Sequence, residues 1–400
     1  SKIEELLNPD PKVLSTYKGF CESAELNKAF KRIHQAQKNN ETIMVNGDPD
    51  ADGISGTSIL VAGLRQLGIK TEYLFPIRPV EGHGIQVRII DEAVARGSSL
   101  VITTDCGTKD NQAVVYAKNQ GVDVIITDHH ILGHERPEAI ALVNPCTIKE
   151  RTLFKDIAGS TVSFIFLKTL YEYLDLPFPD FLNEFGLIVS ALGSLSDRVS
   201  LLNPINRLIV KQGIDYFFES QREGIKALRE LSIPSGEMTK PRHLSRTVIP
   251  RLNAPGRIGD PNENIPDSSI VVDLLLLGKG KKNKAKASHV SRILDAVFNK
   301  AADKAKEVAE QRDASQALMA VNDVDSINER RKQLTAQIED EMDTLIETQV
   351  NPDTDRVILL EGKDWNSGVI GIDADRLKER FLRPAIILNQ RSDSEYVRGS

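Results

Sequence analysis

The sequence predicts an α/β protein: a parallel-sheet domain with helices on both faces, joined by a long helical connector to a second, smaller α/β domain. Three observations predict it. Between residues 41 and 145, short apolar runs alternate with helical stretches, the pattern of βαβ units. From about 285 to 349 the chain is charged, free of proline and helical in period. After Asn351-Pro352 a strand–helix–strand pattern resumes.

Residues 1–40 read as a polar, helical N-terminal cap with Leu26, Phe30 and Ile33 on one face. The main domain, 41–277, follows. Its expected strands are Ile43–Asn46, Thr71–Phe75, Leu100–Thr104, Val122–Thr127 and Ile140–Val143. The expected helices between them are Ile54–Leu67, Val87–Ala95 and Asn111–Asn119. Residues 157–232 are mainly helical, with core helices expected at Ala158–Leu174 and Asp180–Leu195, the second ending at Gly193-Ser-Leu-Ser-Asp197. Pro250-Arg251-Leu-Asn253-Ala-Pro-Gly256-Arg257-Ile-Gly259 reads as a loop bearing glycine and arginine, and 267–277 as an apolar run. Residues 278–350 are a basic loop, Lys279–Lys286, and the connector; the loop is read as solvated chain rather than a DNA contact. In 351–400, strands Val357–Leu360 and Ala385–Leu388 flank a helix at Gly368–Arg380, and the pattern stops at Ser400.

Composition bounds the function. Four hundred residues suffice for two domains, and 40% hydrophobic with 27% charged residues is ordinary for a globular chain. No apolar run reaches membrane-span length, and Ser1-Lys-Ile-Glu-Glu-Leu-Leu has no signal-peptide core, so no membrane partner and a cytoplasmic location are expected. Cys21, Cys106 and Cys146 are unclustered, which fits a reducing compartment and neither a disulfide framework nor a zinc site. A net charge of −6 does not advertise nucleic-acid binding by bulk attraction, but bound metal ions neutralise phosphates locally.

The chemistry-bearing residues sit where the strands end. Asp48, Asp50 and Asp52 follow the first strand at alternate positions; extended geometry past Asn46 would turn all three carboxylates one way. Read alone, this triplet fits an acidic turn as well as a cation site. Asp105 ends the strand at 100–104, and Asp128-His129-His130 ends the strand at 122–127. In open α/β sheets the ligand crevice lies beyond the carboxyl ends of the strands, so these groups point toward one crevice. Carboxylates that close repel unless a cation lies between them, and hard divalent ions such as Mg²⁺ or Mn²⁺ prefer such oxygen donors. Asp197, at the end of an apolar helix, is either paired or a ligand.

These marks resemble the motifs of the DHH phosphoesterase superfamily. Asp48-Pro-Asp50-Ala-Asp52-Gly53 is similar to the first motif and Thr104-Asp105-Cys-Gly107 to the second. Asp128-His129-His130 is similar to the third and Ser196-Asp197 to the fourth. Within the superfamily the chain is similar to the RecJ-like single-strand-specific exonucleases, over about 41–275 and 322–400. Phe75-Pro-Ile-Arg78 with Glu81-Gly-His83-Gly84 resembles their arginine loop, and Arg251-Leu-Asn253-Ala-Pro-Gly256-Arg257 their Asn-Ala-x-Gly-Arg signature. Trp365-Asn-Ser-Gly368-Val-Ile-Gly371 resembles the start of their DHHA1 domain. Three features depart from the family. The 278–320 segment is longer and more basic, no OB-fold follows, and Ser400 falls where a Gly-Ser-Gly-Arg motif would begin. Either the second domain is truncated or another residue takes that arginine's role.

The resemblance implies two-metal hydrolysis of phosphodiesters in single-stranded DNA, running 5′→3′, in repair, recombination or replication. Two Mn²⁺ or Mg²⁺ ions are the implied cofactors. Asp105 would bridge both, Asp48 and Asp50 completing one site, and Asp52, His129 and Asp197 the other. His130 would contact the substrate phosphate or protonate the leaving group, with Asp128 orienting a histidine. Arg78, Asn253, Arg257 and Ser400 are the implied substrate-binding residues, the arginines gripping a 5′ phosphate. Single-stranded DNA with a 5′ phosphate is the implied partner, and a single-strand-binding protein or helicase a further one. Without the resemblance, a lone arginine reads as a solvated ion-pair partner, His83 and His134 as loop residues, and Cys106 and Trp365 as packing. Two alternatives stand beside the nuclease. One is a DHH-family enzyme acting on oligoribonucleotides, cyclic dinucleotides or pyrophosphate; the other is an inactive RecJ-like replication scaffold.

Overall fold

Residues 4, 7–14, 19–150, 152–233, 241–260, 263–278, 289–351, 354–392 and 397–400 are described by a computed structural model; the basic loop expected at Lys279–Lys286 lies outside them. Helix α1 (Ser23–Lys38) leads into a five-stranded sheet made of β1 (Thr42–Gly47), β2 (Thr71–Leu74), β3 (Ser98–Thr104), β4 (Asp123–Thr127) and β5 (Ala141–Val143). Their order is β2-β1-β3-β4-β5, and every pairing is parallel. The strands read as unbroken apolar runs because both faces are covered. Ile43, Val45, Leu100, Ile102, Ile125 and Val143 enter one core, which holds α2 (Ala51–Gln66), α6 (Gly159–Tyr173) and α7 (Asp180–Ser196). The alternate residues Met44, Val101, Val124, Ile126 and Leu142 enter another, beneath α4 (Val87–Ala95) and α5 (Asn111–Asn119). Each such aliphatic contributes about 1.5–3 kcal/mol relative to exposure, so register and side are firmly set. Between β2 and α4 lies the single turn α3 (Arg78–Glu81).

Beyond α7 come α8 (Pro204–Glu219) and α9 (Glu223–Ser232), then a π-helical turn at Leu244–Val248 that runs into α10 (Ile249–Ile258). The stretch expected as a loop is therefore a helix. Pro250 lies in its first turn, where a missing N–H costs nothing, and Leu252, Ala254 and Ile258 bury one face. Pro255 lies inside the helix, and burial and the neighbouring α12 outweigh its unfavourable propensity. A Cβ on Gly256 would stand 1.9 Å from the Pro49 carbonyl oxygen, so only glycine lets α10 press on the aspartate loop. After α11 (Ser269–Leu276), the 61-residue α12 (His289–Gln349) forms the connector, about 90 Å long at 1.5 Å per residue. Its Ala317, Val321 and Val324 pack into the main core, whereas Ile327, Ile338, Met342 and Ile346 belong to a second one.

That second core lies under a three-stranded sheet, β6 (Ile358–Lys363), β7 (Ala385–Gln390) and β8 (Val397–Gly399), with α13 (Ile370–Phe381) between the first two. β6 and β7 are parallel, and β8 adds antiparallel. Trp365 is a core residue here; its Nε1 donates to Glu341 Oε2 at 2.6 Å and its ring covers Gly362.

Candidate metal centre

The three aspartates after β1 do not continue the strand. β1 ends at Gly47, and Asp50 instead caps α2, its Oδ1 accepting from Asp52 N at 2.9 Å and Gly53 N at 3.2 Å. Capping is the preferred use of an aspartate at a helix start, and it outcompetes strand extension. Gly53 is required because a Cβ there would lie 2.2 Å from the Asp48 carbonyl oxygen. A strand end, a cap and a first helical turn bring the carboxylates together, not alternation along a strand.

Asp52 lies in that first turn. Its two oxygens accept from Gly159 N at 2.6 Å and Ser160 N at 3.0 Å, the open N-terminus of α6. Asp105 follows β3 with φ 62°, a left-handed conformation that aspartate tolerates and that turns its carboxylate into the crevice. Gly159 makes room for it, since a Cβ there would stand 2.6 Å from Asp105 Oδ1. His129 follows β4. Its Nδ1 donates to the Ile157 carbonyl at 2.9 Å, so neutral His129 presents a lone pair at Nε2, only 2.9 Å from Asp105 Oδ1. Asp105 Oδ1 has no hydrogen-bond partner and is buried.

Two groups of donor atoms result, each within 4.8 Å: Asp48, Asp50 and Asp105, and Asp52, His129 and Asp197. A third such group, Asp105, His129 and His130, shares two of these residues. The electrostatics fit a bound cation. Burial pushes the Asp105 carboxyl well above its ordinary range, and the charges of Asp52, Asp50 and Asp48 push it further. Burial also raises Asp48 and Asp52, and with the Asp52 charge it raises Asp197 to about 6. Buried carboxylates that repel one another, the orphaned oxygen of Asp105 and an imidazole nitrogen facing it are all relieved by divalent cations.

The remaining predicted residues divide. Asp128 is saturated: Oδ2 accepts from Thr108 N at 2.9 Å, while Oδ1 accepts from His129 N at 2.7 Å and lies 2.8 Å from His130 Nδ1. The hydrogen bond to Asp128 raises His130 to about 9; Asp128, raised by burial alone, is brought down to about 2 by His130. His130 is exposed at a cavity of about 370 Å³ lined also by Asp48, Asp50, Asp105 and Asp197. Asn253, expected to bind substrate, is occupied structurally. Its Oδ1 accepts from Ala51 N at 2.7 Å and its Nδ2 reaches Ser196 Oγ at 3.4 Å, so it ties the aspartate loop to α7. Ser400 pairs its backbone with Ile387 at 2.9 and 3.0 Å, with its hydroxyl against Gly371 in the first turn of α13. Arg257 is half-buried and its Nη1 donates to the Gly368 carbonyl at 3.1 Å. Desolvation and the neighbouring charges of Arg78 and Arg331 lower it to about 10. Neither Arg78 nor Arg257 makes a carboxylate ion pair among the described residues.

His83, read from sequence as a loop residue, reaches the site: its Nδ1 lies 3.1 Å from Asp48 Oδ1. Two signals were available. β2 is another strand whose carboxyl end faces the crevice, and the loop after it is bent at Gly82 and Gly84, both with positive φ. His134 lines no part of the cavity, whereas Cys106, though nearly buried, is one of the residues that line it.

Residues 42–187 match the family model described as DHH family, N-terminal domain. The single-stranded-DNA-specific exonuclease RecJ of Bacillus subtilis (strain 168) is 31% identical over 379 residues, 94% of this chain and 41% of that protein. The enzyme of the same name from Escherichia coli (strain K12) is 30% identical over 380 residues, 92% of this chain and 58% of that one. A crystal structure of exonuclease RecJ bound to manganese superposes with TM-score 0.70 at 28% identity, over 92% of this chain and 80% of that one. RecJ in complex with Mn²⁺ from Thermus thermophilus gives TM-score 0.70 at 26% identity, over 96% of this chain and 48% of that one. Residues 42–187 are thus similar to the N-terminal domain of the DHH family. Across most of its length the chain is RecJ-like. It spans about half the length of the curated relatives it matches. No helix among the described residues is long and apolar enough to cross a membrane.

Proposed function

We propose that this chain is the catalytic portion of a metal-dependent exonuclease that hydrolyses single-stranded DNA from a 5′-phosphorylated end. The observation that carries it is the pair of donor groups, Asp48/Asp50/Asp105 and Asp52/His129/Asp197, placed side by side around the orphaned oxygen of Asp105. They would hold two Mn²⁺ or Mg²⁺ ions; an imidazole among carboxylates suits Mn²⁺ at least as well. When bound, such ions supply Lewis acidity and charge neutralisation for attack of water on a phosphodiester. Residues 41–277 serve as the catalytic domain, 278–350 as the connector and 351–400 as the start of a substrate-binding domain.

The chain's own groups divide the remaining work. Asp128 fixes the His130 ring through Nδ1, so Nε2 faces the cavity, from where it can donate to a phosphate or leaving oxygen. Arg78 and Arg257 keep donors free of carboxylates, which suits bidentate capture of a terminal phosphate. Holding the 5′ phosphate sets the 5′→3′ direction. Support comes from relatives described as single-stranded-DNA-specific exonucleases and from a RecJ structure bound to manganese. A repair or recombination role in the cytoplasm belongs to the same proposal, with single strands supplied by a helicase or a single-strand-binding protein.

The test incubates purified protein with Mn²⁺ and 5′-phosphorylated single-stranded DNA, alongside duplex DNA, pyrophosphate and cyclic dinucleotides. Mononucleotides released from the single strand alone are expected. Hydrolysis of only the small substrates would sink the nuclease reading, and no hydrolysis at all would favour a scaffold.

A further inference from the structure

Among the described residues, two seams join the C-terminal α/β unit to the main one; the first ends on Arg257 and the second on the two residues that follow Arg78. At the first, a Cβ on Gly368 would stand 1.8 Å from the Arg257 carbonyl oxygen, and the Gly368 carbonyl accepts from the Arg257 side chain. At the second, Arg398 on β8 donates Nη1 to the Pro79 carbonyl at 2.7 Å and Nη2 to the Val80 carbonyl at 3.0 Å. Pro79 and Val80 follow Arg78 directly in the four-residue α3.

A single turn of helix leaves nearly all its carbonyls unsatisfied and holds no shape by itself. α3 is held from one side by Glu81, which accepts from Ile77 N at 2.7 Å and from Arg88 Nε and Nη2 at 2.7 and 2.9 Å. Arg398 holds it from the other, its planar fork matching two successive carbonyls. The scaffold of the turn is bonded throughout, while the Arg78 guanidinium makes no ion pair among the described residues. Arg398 reaches across 318 and 319 positions of sequence to do this, from an edge strand with short pairing of its own.

We propose that Arg398 is a positioning residue for Arg78, so that docking of the C-terminal unit is a condition for recognising a strand's terminal phosphate. This rests on Arg78 being a phosphate ligand. The C-terminal unit then contributes to end selection through α3, without Arg398 itself touching the strand. With the seam open, the carboxylates around Asp105 keep their places but the turn bearing Arg78 does not.

The experiment follows wild type, Arg398→Ala, Arg398→Lys, Arg78→Ala and the double variant Arg78→Ala/Arg398→Ala. Amide hydrogen exchange over residues 77–82 reads the turn directly, with or without activity. Steady-state rates with Mn²⁺ on 5′-phosphorylated and 5′-hydroxyl single-stranded oligonucleotides read end selection. Arg398→Ala should speed exchange across 77–82 and raise KM for the phosphorylated oligonucleotide by about tenfold, the scale of one charge-assisted bidentate contact. Its kcat and its KM for the hydroxyl end should stay near wild type, and Arg398→Lys should recover part of the loss. Added to Arg78→Ala, it should change nothing more, because the two act as one unit. Unchanged exchange, equal losses for both ends, or independent effects in the double variant overturn the inference while leaving the nuclease reading intact. A wild type indifferent to the 5′ phosphate removes the underlying role of Arg78, and the inference falls with it.

Discussion

Asp105 concentrates the strain of the site: left-handed backbone, full burial, four like charges nearby and an oxygen with no donor. Replacing it removes repulsion as well as a ligand. Asp105→Ala should therefore lower turnover by ~10²-fold or more, the scale of losing one preorganised electrostatic contact. In metal-free buffer its Tm should equal or exceed that of wild type. A near-normal rate would show that Asp105 is not the shared donor. Asn253 shows what residue-level reading misses. The sequence shows an asparagine in a signature; the fold shows its amide spent on Ala51 N and Ser196. Asn253→Ala should destabilise by about 1–3 kcal/mol by leaving that N–H without its partner, and it should weaken Mn²⁺ binding more than substrate binding. Denaturant unfolding and metal titration check the two parts. His83 was hidden for a related reason: a ring on a loop carries no periodicity, and only the chain path shows that it reaches Asp48.

Elements were legible where burial on both faces makes a strand or core helix continuously apolar, as in β1, β3, β4 and α6. α10 was not, because proline and glycine signal a loop locally and only contact with α12 and the aspartate loop overrides them. Gly256→Ala should consequently cost about 1–3 kcal/mol and most of the activity together, since the new methyl must displace either α10 or the Asp48–Asp52 loop. Loss of stability with full activity would show that α10 yields instead of the loop. α13 carries a separate strain. Asp373 is fully buried with neither oxygen hydrogen-bonded, and burial pushes it up to about 7 despite the ion pair with Arg376 at 3.6 Å. Its folded pKa lies above the unfolded value, so its contribution to stability is full at low pH and is lost as pH rises through about 7. The fall in Tm between pH 5 and pH 8 should be smaller in Asp373→Asn than in wild type, by a few degrees for ~1 kcal/mol. Parallel Tm–pH curves would contradict this.

At the scale of the molecule, one five-stranded sheet brings donors from three strand ends and one helix end, residues 48 to 197, around a single crevice. That convergence was legible in sequence because the carboxyl ends of parallel strands share one side. The seams from Gly368 and Arg398 were not, because they depend on how two units dock, which no local pattern records. Each raised carboxylate at the centre works against the metal-free fold as pH rises, and bound cations reverse this; at 100 times Kd, one ion adds about 2.7 kcal/mol. The most direct measurement is the stoichiometry of Mn²⁺ bound at neutral pH, by calorimetric titration of wild type and Asp105→Ala. The arrangement around Asp105 predicts two ions per chain in wild type and severe loss of both in the variant. One ion per chain, or two that survive Asp105→Ala, would contradict a centre built on that shared carboxylate.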